Sequence, residues 1–365
     1  MSDTVSIDEP LVDETSARGS SPIVRTPRKK VRWYEAGAFT IPALLVYVAF
    51  VFVPIGFGII LSIRDGSRLN PVGDNFIGFT NYTAIFDRTP GILGAPVFWD
   101  AVRNNFLIAI MSLLIQGPLA ILIALLLNRK MRGSWLIRTL IFVPWVVSEV
   151  ITGVMFQMLV APNGAVASAF NGMALSLPNW LGGSTGVTTR MVSGESVQMC
   201  ADGFLCALSD VQWLAGGREG GLGSWTFWFI MLVLTWKYLG LAIILFLAGM
   251  SGIPEELTEA AAIDGAGWWQ IQRKVTLPLL GPTIRIWAFL SIIGSFQLFD
   301  MVWILTRQSP TTVGMDTMAT YMVVQQNAGR VGYGSAVAVV LFAITLAIAI
   351  PYQKFILKRD VGKGS

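Results

Sequence analysis

Long apolar runs separated by short polar clusters dominate the pattern of this chain. An α-helix rises 1.5 Å per residue, so about 20 apolar residues cross the hydrocarbon core of a bilayer. Six runs are long enough and predict membrane-spanning helices at 39–63, 105–127, 136–160, 224–250, 284–305 and 333–353. The pattern therefore predicts an all-α membrane protein, with six transmembrane helices inside a domain of residues 36–355.

The composition agrees with this interpretation. Hydrophobic residues make up 54% of the 365 residues and charged residues only 13%, whereas soluble domains carry roughly 25% charged residues. The net charge of +4 comes from the tails and two short loops rather than from one basic face of the kind that binds nucleic acid. We therefore expect a lipid bilayer around the chain and no nucleic-acid partner.

The two ends of the chain are polar. Residues 1–35 combine early acids with a later basic run and predict a disordered tail. We do not expect them to form a signal peptide, because the first apolar run begins too late and is too long. Residues 356–365 predict a short second tail.

The lysines indicate the orientation in the membrane. They lie in the first tail, at Lys130, at Lys274 and after the sixth predicted span, and only Lys237 stands apart, inside a span. Because cytoplasmic loops are enriched in Lys and Arg, both termini and the loops 128–135 and 251–283 are predicted to be cytoplasmic. The outer loops are then 64–104, 161–223 and 306–332, and none of them contains a lysine.

The outer loop 161–223 is rich in Gly, Ser and Thr and shows no sustained period. It is longer than a minimal connection, so it either packs as a small cap or is mobile. The only two cysteines, Cys200 and Cys206, lie in it, on the oxidising side. A disulfide between them and two free thiols are both open, whereas zinc fingers and iron–sulfur clusters are excluded by count.

The cytoplasmic loop 251–283 carries more structure than a connector needs. Pro254 suits the first turn of a helix, which Ser251 or Gly252 could cap, and the acidic residues that follow favour the positive helix end. Gly265 and Gly267 break this helix, and a second short helix is expected to stop at Leu277–Pro278. Two short helices bent at a glycine predict a compact projection that can insert into a groove of a partner.

Three blocks in this loop resemble, in register, the coupling-loop signature of ABC importer permeases: Glu259-Ala260-Ala261, Asp264-Gly265-Ala266 and Leu277-Pro278. The similarity is to the carbohydrate-uptake branch, the maltose and glycerol-3-phosphate type. Other segments resemble the first permease of such pairs, and together the resemblance covers roughly residues 36–355: Phe76–Tyr82, Phe98–Asn104, Ser295–Asp300 and Tyr333–Ala336. The chain departs from the pattern at Gln272, where the family usually has an aromatic residue, and in a longer outer loop around 181–215.

The resemblance implies the six-helix fold of ABC importer permeases with a cytoplasmic coupling helix, in the cytoplasmic membrane. It also implies a second homologous permease subunit, two ATPase subunits and an extracytoplasmic solute-binding protein as partners. The residues expected to engage the ATPase are Glu259, Ala260, Ala261, Asp264, Gly265, Ala266, Leu277 and Pro278. The alternative is an ordinary amphipathic loop on the membrane surface.

No cofactor is expected on this chain. It contains no Gly-x-x-x-x-Gly-Lys-Ser/Thr loop, so ATP and magnesium are expected on the partner ATPase.

Two charged residues lie near the middle of predicted spans. Glu149 is in the third span and Lys237 in the fourth, at similar depth. A charge at mid-bilayer costs at least about 2.5–3.5 kcal/mol, so we expect both to face the bundle interior, as an ion pair or along a hydrated solute path. Alternatively, Lys237 snorkels and Glu149 is protonated or bonded to a backbone carbonyl.

Polar groups on the fifth span suit a solute covered in hydroxyl groups, and the family's solute site lies in this region. Alternatively, the serines only allow close helix packing. With the two charged residues, the predicted solute path consists of Glu149, Trp236, Lys237, Tyr238, Ser291, Ser295, Gln297 and Asp300, where the aromatic rings could stack on sugar rings.

These features predict a transport subunit for a sugar or a related polar solute, not an enzyme. An ion-coupled secondary transporter using Glu149 and Asp300 is the second hypothesis, but such proteins more often show more spans and inverted repeats. An intramembrane enzyme is disfavoured, because the chain has no histidine and no nucleophile–base constellation. The sequence does not name the solute.

Overall fold

Helices form most of the described backbone. In the computed structural model of the chain, the described residues are 33–86, 95–129, 133–160, 164–165, 187–192, 195–200, 222, 225–307 and 315–357. The disorder predicted for residues 1–35 lies outside this range, except that Trp33 already begins a helix. Met1–Pro54 and Ile55–Ser365 form two separate units, and the packing below concerns the second.

Fifteen α-helices are described in this part of the chain, and some are joined through short π-helical turns. They are α1 Trp33–Tyr47, α2 Val53–Ser62, α3 Thr80–Phe86, α4 Ala95–Met111, α5 Gly117–Leu127, α6 Ser134–Val146, α7 Glu149–Val160, α8 Trp225–Ser251, α9 Glu255–Ile263, α10 Trp268–Ile271, α11 Leu277–Leu279, α12 Gly281–Gln297, α13 Asp300–Arg307, α14 Met318–Asn327 and α15 Val331–Pro351.

Four of the predicted spans are continuous helices, and the all-α class is confirmed. They are Thr40–Ser62, Phe98–Leu127, Thr226–Ser251 and Val331–Lys354.

The third predicted span, 136–160, is not one helix. It consists of α6 and α7, bent by 95°. Pro144 lies in the last turn of α6, and Val147 is extended, with φ −64° and ψ 139°.

The fifth predicted span, 284–305, is also divided. Leu298 is extended, with φ −63° and ψ 114°, between α12 and α13. Its carbonyl accepts a hydrogen bond from Thr317 Oγ1 at 2.8 Å, so a side chain from another segment satisfies the interrupted backbone. Both corrections have one cause: an apolar run has the same composition whether or not its helix is interrupted.

Three prolines widen a helix instead of ending it. Pro54, Pro118 and Pro278 each stand two residues after a π-helical segment, and the segments are Val48–Phe52, Ser112–Gln116 and Gln272–Thr276. Proline lacks an N–H, and its ring clashes with the carbonyl four residues before it. In each case this residue is the centre of the π segment, where the wider turn makes room for the ring.

The described core surrounds α8 and α12. One buried cluster joins the first half of α8 to α13, with Phe227, Ile230 and Met301 fully buried. A second packs α4 against α14 and α15. A third packs α5 against the second half of α8 and α12. The cavity described below lies where α4 and the π segment Ser112–Gln116 meet α8 and α12.

The loop 161–223 contains a β-hairpin. Strand β1 (Val187–Val192) pairs antiparallel with β2 (Glu195–Cys200), and Val187 lies opposite Cys200. The sequence did not predict this hairpin, because its residues show no clean alternation of apolar and polar positions. Cys206 lies outside the described residues, so the two alternatives, a disulfide and two free thiols, both stay as predicted.

Candidate functional site

Residues 255–279, here named the elbow, form two short helical pieces joined by a tight bend. Helix α9 ends in a Schellman motif: the Gly265 N–H donates to the Ala262 carbonyl and the Ala266 N–H to the Ala261 carbonyl, both at 3.0 Å. Gly265 has φ +81°, a left-handed conformation that costs residues with a Cβ roughly 1–2 kcal/mol. The predicted glycine bend is therefore present at Gly265.

The second glycine has a different role. Gly267 is extended, with φ −68° and ψ 160°, and is the N-cap of α10. Its N–H donates to Gln270 Oε1 at 2.9 Å. The bend is thus stabilised by groups of the elbow itself.

Two details of the predicted loop differ in the structure. The second short helix runs one residue past the predicted stop at Leu277–Pro278, because Pro278 lies in the first turn of α11 and the chain stays helical to Leu279. The 65° bend follows there, between Trp268–Leu279 and Gly281–Gln297. Pro254 is the N-cap residue of α9 and not part of its first turn.

Six of the eight predicted coupling residues lie on or beside the bend at Gly265. Glu259, Ala260, Asp264 and Gly265 are exposed, whereas Ala261 and Ala266 are half-buried within the bend. Leu277 is half-buried and Pro278 exposed, at the far end of the elbow. A partner could therefore reach most of this set.

Sequence reasoning missed the two most exposed large apolar side chains on the elbow. Ile263 is 86% exposed and Trp269 is 62% exposed. The neighbouring ring, Trp268, packs against the third cluster and lies 3.9 Å from the Arg129 guanidinium carbon, measured to the ring centroid. The signal available in the sequence was the presence of large apolar residues in an otherwise polar loop.

A cavity of about 210 Å³ lies between α4, the π segment Ser112–Gln116, α8 and α12. Five of the lining residues carry hydroxyl or amide groups, and the walls are otherwise mainly apolar. The lining residues are Ile108, Ser112, Gln116, Met231, Leu234, Tyr238, Leu241, Ala242, Leu245, Trp287, Leu290, Ser291, Gly294, Ser295 and Leu298.

Hydroxyl groups from two spans meet at this cavity. Ser112 Oγ lies 2.8 Å from Ser291 Oγ and donates to Gln116 Oε1 at 2.5 Å. Ser295 Oγ donates to the Ser291 carbonyl at 2.8 Å. Ser291, Ser295 and Tyr238 were predicted for the solute path. Ser112 and Gln116 were missed, although they are the only polar side chains in the run 106–127 and stand four residues apart.

The other predicted path residues do not line this cavity. The Trp236 ring packs edge-on against Phe156, with 5.2 Å between centroids. Gln297 and Asp300 are exposed, and Asp300 begins α13. Glu149 and Lys237 lie beside the cavity residue Tyr238, at the break between α6 and α7.

The two intramembrane charges are not directly paired. Lys237 is 2% exposed, and its Nζ donates to the carbonyls of Pro144 at 3.3 Å, Trp145 at 3.4 Å and Val147. Glu149 Oε1 accepts a hydrogen bond from the Tyr238 hydroxyl. Of the two predicted arrangements, an ion pair or a shared solute path, the ion pair is not formed, because the broken helix offers the ammonium group carbonyl acceptors that an unbroken span would not.

The model of the family described as "Binding-protein-dependent transport system inner membrane component" matches residues 116–362. This range includes the elbow and all cavity residues except Ile108 and Ser112. The chain belongs to this family, and its predicted resemblance to carbohydrate-uptake ABC importer permeases is confirmed.

Similar proteins match over most of their length. The arabinooligosaccharides transport system permease protein AraP of Bacillus subtilis is 28% identical over 317 residues, covering 86% of this chain and 85% of that protein. The trehalose/maltose transport system permease protein MalF of Thermococcus litoralis is 26% identical over 334 residues, covering 90% and 96% respectively.

A solved structure has the same fold. One chain of a bacterial ABC transporter involved in the import of the acidic polysaccharide alginate matches with a TM-score of 0.68 at 21% identity, covering 89% of this chain and 96% of that chain.

Proposed function

We propose that this chain carries a sugar or a related polar solute across the cytoplasmic membrane, as a permease subunit driven by partner ATPases. The observation that carries the proposal is the continuity between the elbow and the cavity. Helix α12 begins directly after the elbow, at Gly281, and holds Ser291 and Ser295. A rigid shift of the elbow would therefore displace one wall of the cavity.

The elbow is proposed to face the cytoplasm and to contact an ATPase subunit. The lysine distribution supports this orientation, with both termini on the same side. The exposed Ile263 and Trp269 side chains support a protein partner, because a hydrophobic contact would remove them from water.

The proposed assembly contains a second homologous permease subunit, two ATPase subunits that hold ATP and magnesium, and an extracytoplasmic solute-binding protein. A similar solved structure is an alginate ABC transporter in complex with an alginate pentasaccharide-bound periplasmic protein.

The cavity supports a small polar solute or one end of a longer one. Its volume of about 210 Å³ lies below the roughly 300–1,000 Å³ of pockets for drug-sized ligands. Serine hydroxyls and the Gln116 amide offer donors and acceptors for sugar hydroxyl groups, and Trp287 and Tyr238 offer ring faces. An oligosaccharide would require a wider opening than this conformation has.

The test is uptake by the complete transporter in proteoliposomes. The chain is co-purified with its ATPases, second permease and binding protein, and assayed with labelled maltose, an arabinooligosaccharide and an alginate oligosaccharide. We expect uptake of at least one sugar, only with ATP inside and the binding protein outside. Uptake driven by a proton or sodium gradient without the ATPases would contradict the proposal and favour the ion-coupled alternative.

A second experiment tests the cavity as the solute site. Ser112→Ala and Ser291→Ala each remove a hydroxyl and should raise the KM of uptake about five- to tenfold, the equivalent of about 1–1.4 kcal/mol. Thr345→Ala is the control for the loss of a hydroxyl inside an apolar helix, because Thr345 donates only within its own helix, to the Leu341 carbonyl at 2.8 Å, and does not line the cavity. An unchanged KM in both serine variants would place the solute elsewhere.

A further inference from the structure

The break between α6 and α7 leaves backbone acceptors without their helical partners. In an unbroken helix the carbonyls of Pro144, Trp145 and Val147 would accept from N–H groups four residues later. Because the chain turns by 95° at this point, those bonds are lost. Inside a bilayer such carbonyls need another donor, since no bulk water is present.

One lysine supplies all three hydrogen bonds. The Lys237 ammonium has three donors and no acceptor, and it donates to these three carbonyls. Its positive charge also lies at the carboxyl end of α6, where the helix dipole is negative. The side chain is thus matched to the break both in hydrogen bonding and in charge.

The next residue in α8 contacts the other half of the span. The Tyr238 hydroxyl donates to Glu149, which is the first residue of α7, where a negative charge is favoured by the helix dipole. Consecutive residues on a helix point about 100° apart, so Lys237 and Tyr238 reach the two halves from one turn of α8.

The same turn of α8 lies in close contact with α6 and with the cavity. A Cβ on Gly240 would come within 2.3 Å of the Ile141 carbonyl oxygen, so the two backbones touch just before the break. Tyr238 also lines the cavity. One of the two residues that hold the bend, Tyr238, therefore borders the space assigned to the solute.

We propose that Lys237 and Tyr238 are positioning residues that fix the angle between α6 and α7, and that this angle sets the shape of the cavity beside Tyr238. Lys237 holds the end of α6 and Tyr238 holds the start of α7. The assignment of the cavity to a solute rests on the proposed function, but the fixed angle does not.

The experiment measures the angle directly in the full-length chain in lipid nanodiscs. Spin labels are placed at Leu140→Cys and Met158→Cys, two exposed positions, after Cys200→Ser and Cys206→Ser. With a rise of 1.5 Å per residue, the Cα atoms would be about 27 Å apart in a straight helix and about 18 Å apart at a right-angle bend. We expect one short distance in the parent, a longer or broader distribution in Lys237→Met, and a parent-like distribution in Lys237→Arg. An unchanged distribution in Lys237→Met would overturn the proposal.

If Lys237→Met does not fold, a second pair of variants tests whether the α8 side chains fix the angle between α6 and α7. Tyr238→Phe removes the bond to Glu149, and Tyr352→Phe removes a comparable hydroxyl bond, to the Arg285 carbonyl at 2.9 Å, away from the break. Broadening in Tyr238→Phe alone supports the proposal, and equal distributions in the two variants contradict it. Because this measurement needs neither solute nor ATPase, its outcome is separate from that of the uptake experiment. In the assembled transporter, Tyr238→Phe should also raise the KM of uptake more than Tyr352→Phe.

Discussion

The chain bends sharply at the break between α6 and α7 and again within the elbow, and the two bends are stabilised in opposite ways. At the break, backbone carbonyls accept hydrogen bonds from Lys237, a side chain of a different helix about 90 residues away in sequence. At the elbow, the bonds come from within the elbow itself, through Gly265, Ala266 and the Gln270 side chain.

The difference follows from the surroundings of each bend. The elbow is largely exposed, so water can satisfy any remaining backbone group, and a glycine is enough to turn the chain. The break lies in an apolar span, where each freed carbonyl needs a protein donor. An elbow built from its own residues can move as one body, whereas the break cannot change without moving its neighbours.

The largest expected effect is at the contact between α8 and α6. Gly240→Ala places a Cβ 2.3 Å from the Ile141 oxygen and 3.3 Å from the Phe142 Cα, and these are backbone atoms that cannot rotate away. We expect a loss of about 1–3 kcal/mol of stability from this overpacking, measured as a lower midpoint of thermal unfolding of the purified full-length chain.

Gly294→Ala is the matched control for this variant. Gly294 also lies in an apolar helix, but a Cβ added there would have no atom within 4 Å. Its midpoint should equal or exceed that of the parent, because alanine is the better helix former by about 1 kcal/mol. If the two variants unfold at the same temperature, the close approach at the break is wrong.

A smaller and local effect is expected at the elbow. Gly265→Ala forces a Cβ into φ +81°, which costs about 1–2 kcal/mol, whereas Gly267→Ala meets only Gln270 Oε1, at 3.9 Å. In the assembled transporter, solute-stimulated ATP hydrolysis should fall in Gly265→Ala and persist in Gly267→Ala. Because the bend is held by bonds within the elbow, local opening of the elbow should relieve this strain, so the unfolding midpoint of the rest of the chain should stay the same in both variants. A global loss of stability in Gly265→Ala would refute the self-contained elbow.

The smallest expected effect concerns the contact between Trp268 of the elbow and Arg129, which follows α5. Arg129→Gln removes this cation–π contact, which is worth about 0.5–1 kcal/mol at an exposed site. Stimulated ATP hydrolysis should fall about two- to fivefold. Trp268→Leu and the double variant complete a double-mutant cycle, and strictly additive effects would show that the two residues do not act together.

The spans were predictable from sequence, but their interruptions were not. Hydropathy over 136–160 is the same for a straight helix and for one that turns by 95° at Val147, because the window counts composition and not backbone angles. Pro144 was visible, yet Pro54, Pro118 and Pro278 are tolerated by π segments, so a proline alone does not identify a break. The group that stabilises the break is Lys237, and the carbonyls that accept its hydrogen bonds become available only when the helix is broken.

The candidate site was also only partly predictable from the sequence. Ser291 and Ser295 are four residues apart on a helix, and the pattern placed them on one face, as the cavity confirms. Ser112 and Gln116 have the same spacing in the second span, but a pairing between two spans cannot be derived from the pattern of either. Gln297 and Asp300 were expected beside the serines, and the interruption at Leu298 takes Asp300 into a separate helix, α13.

Pro118 indirectly affects which side chains line the cavity, through the π segment Ser112–Gln116 that precedes it. A π turn inserts one extra residue into a helix, which rotates everything before it by about 100° relative to everything after it. The Ser112 hydroxyl is thereby directed towards Ser291 by a ring that does not border the cavity. Replacing that proline would let the helix rewind and would turn a different side chain inward, so solute preference in such a span can be altered without exchanging any residue that touches the solute.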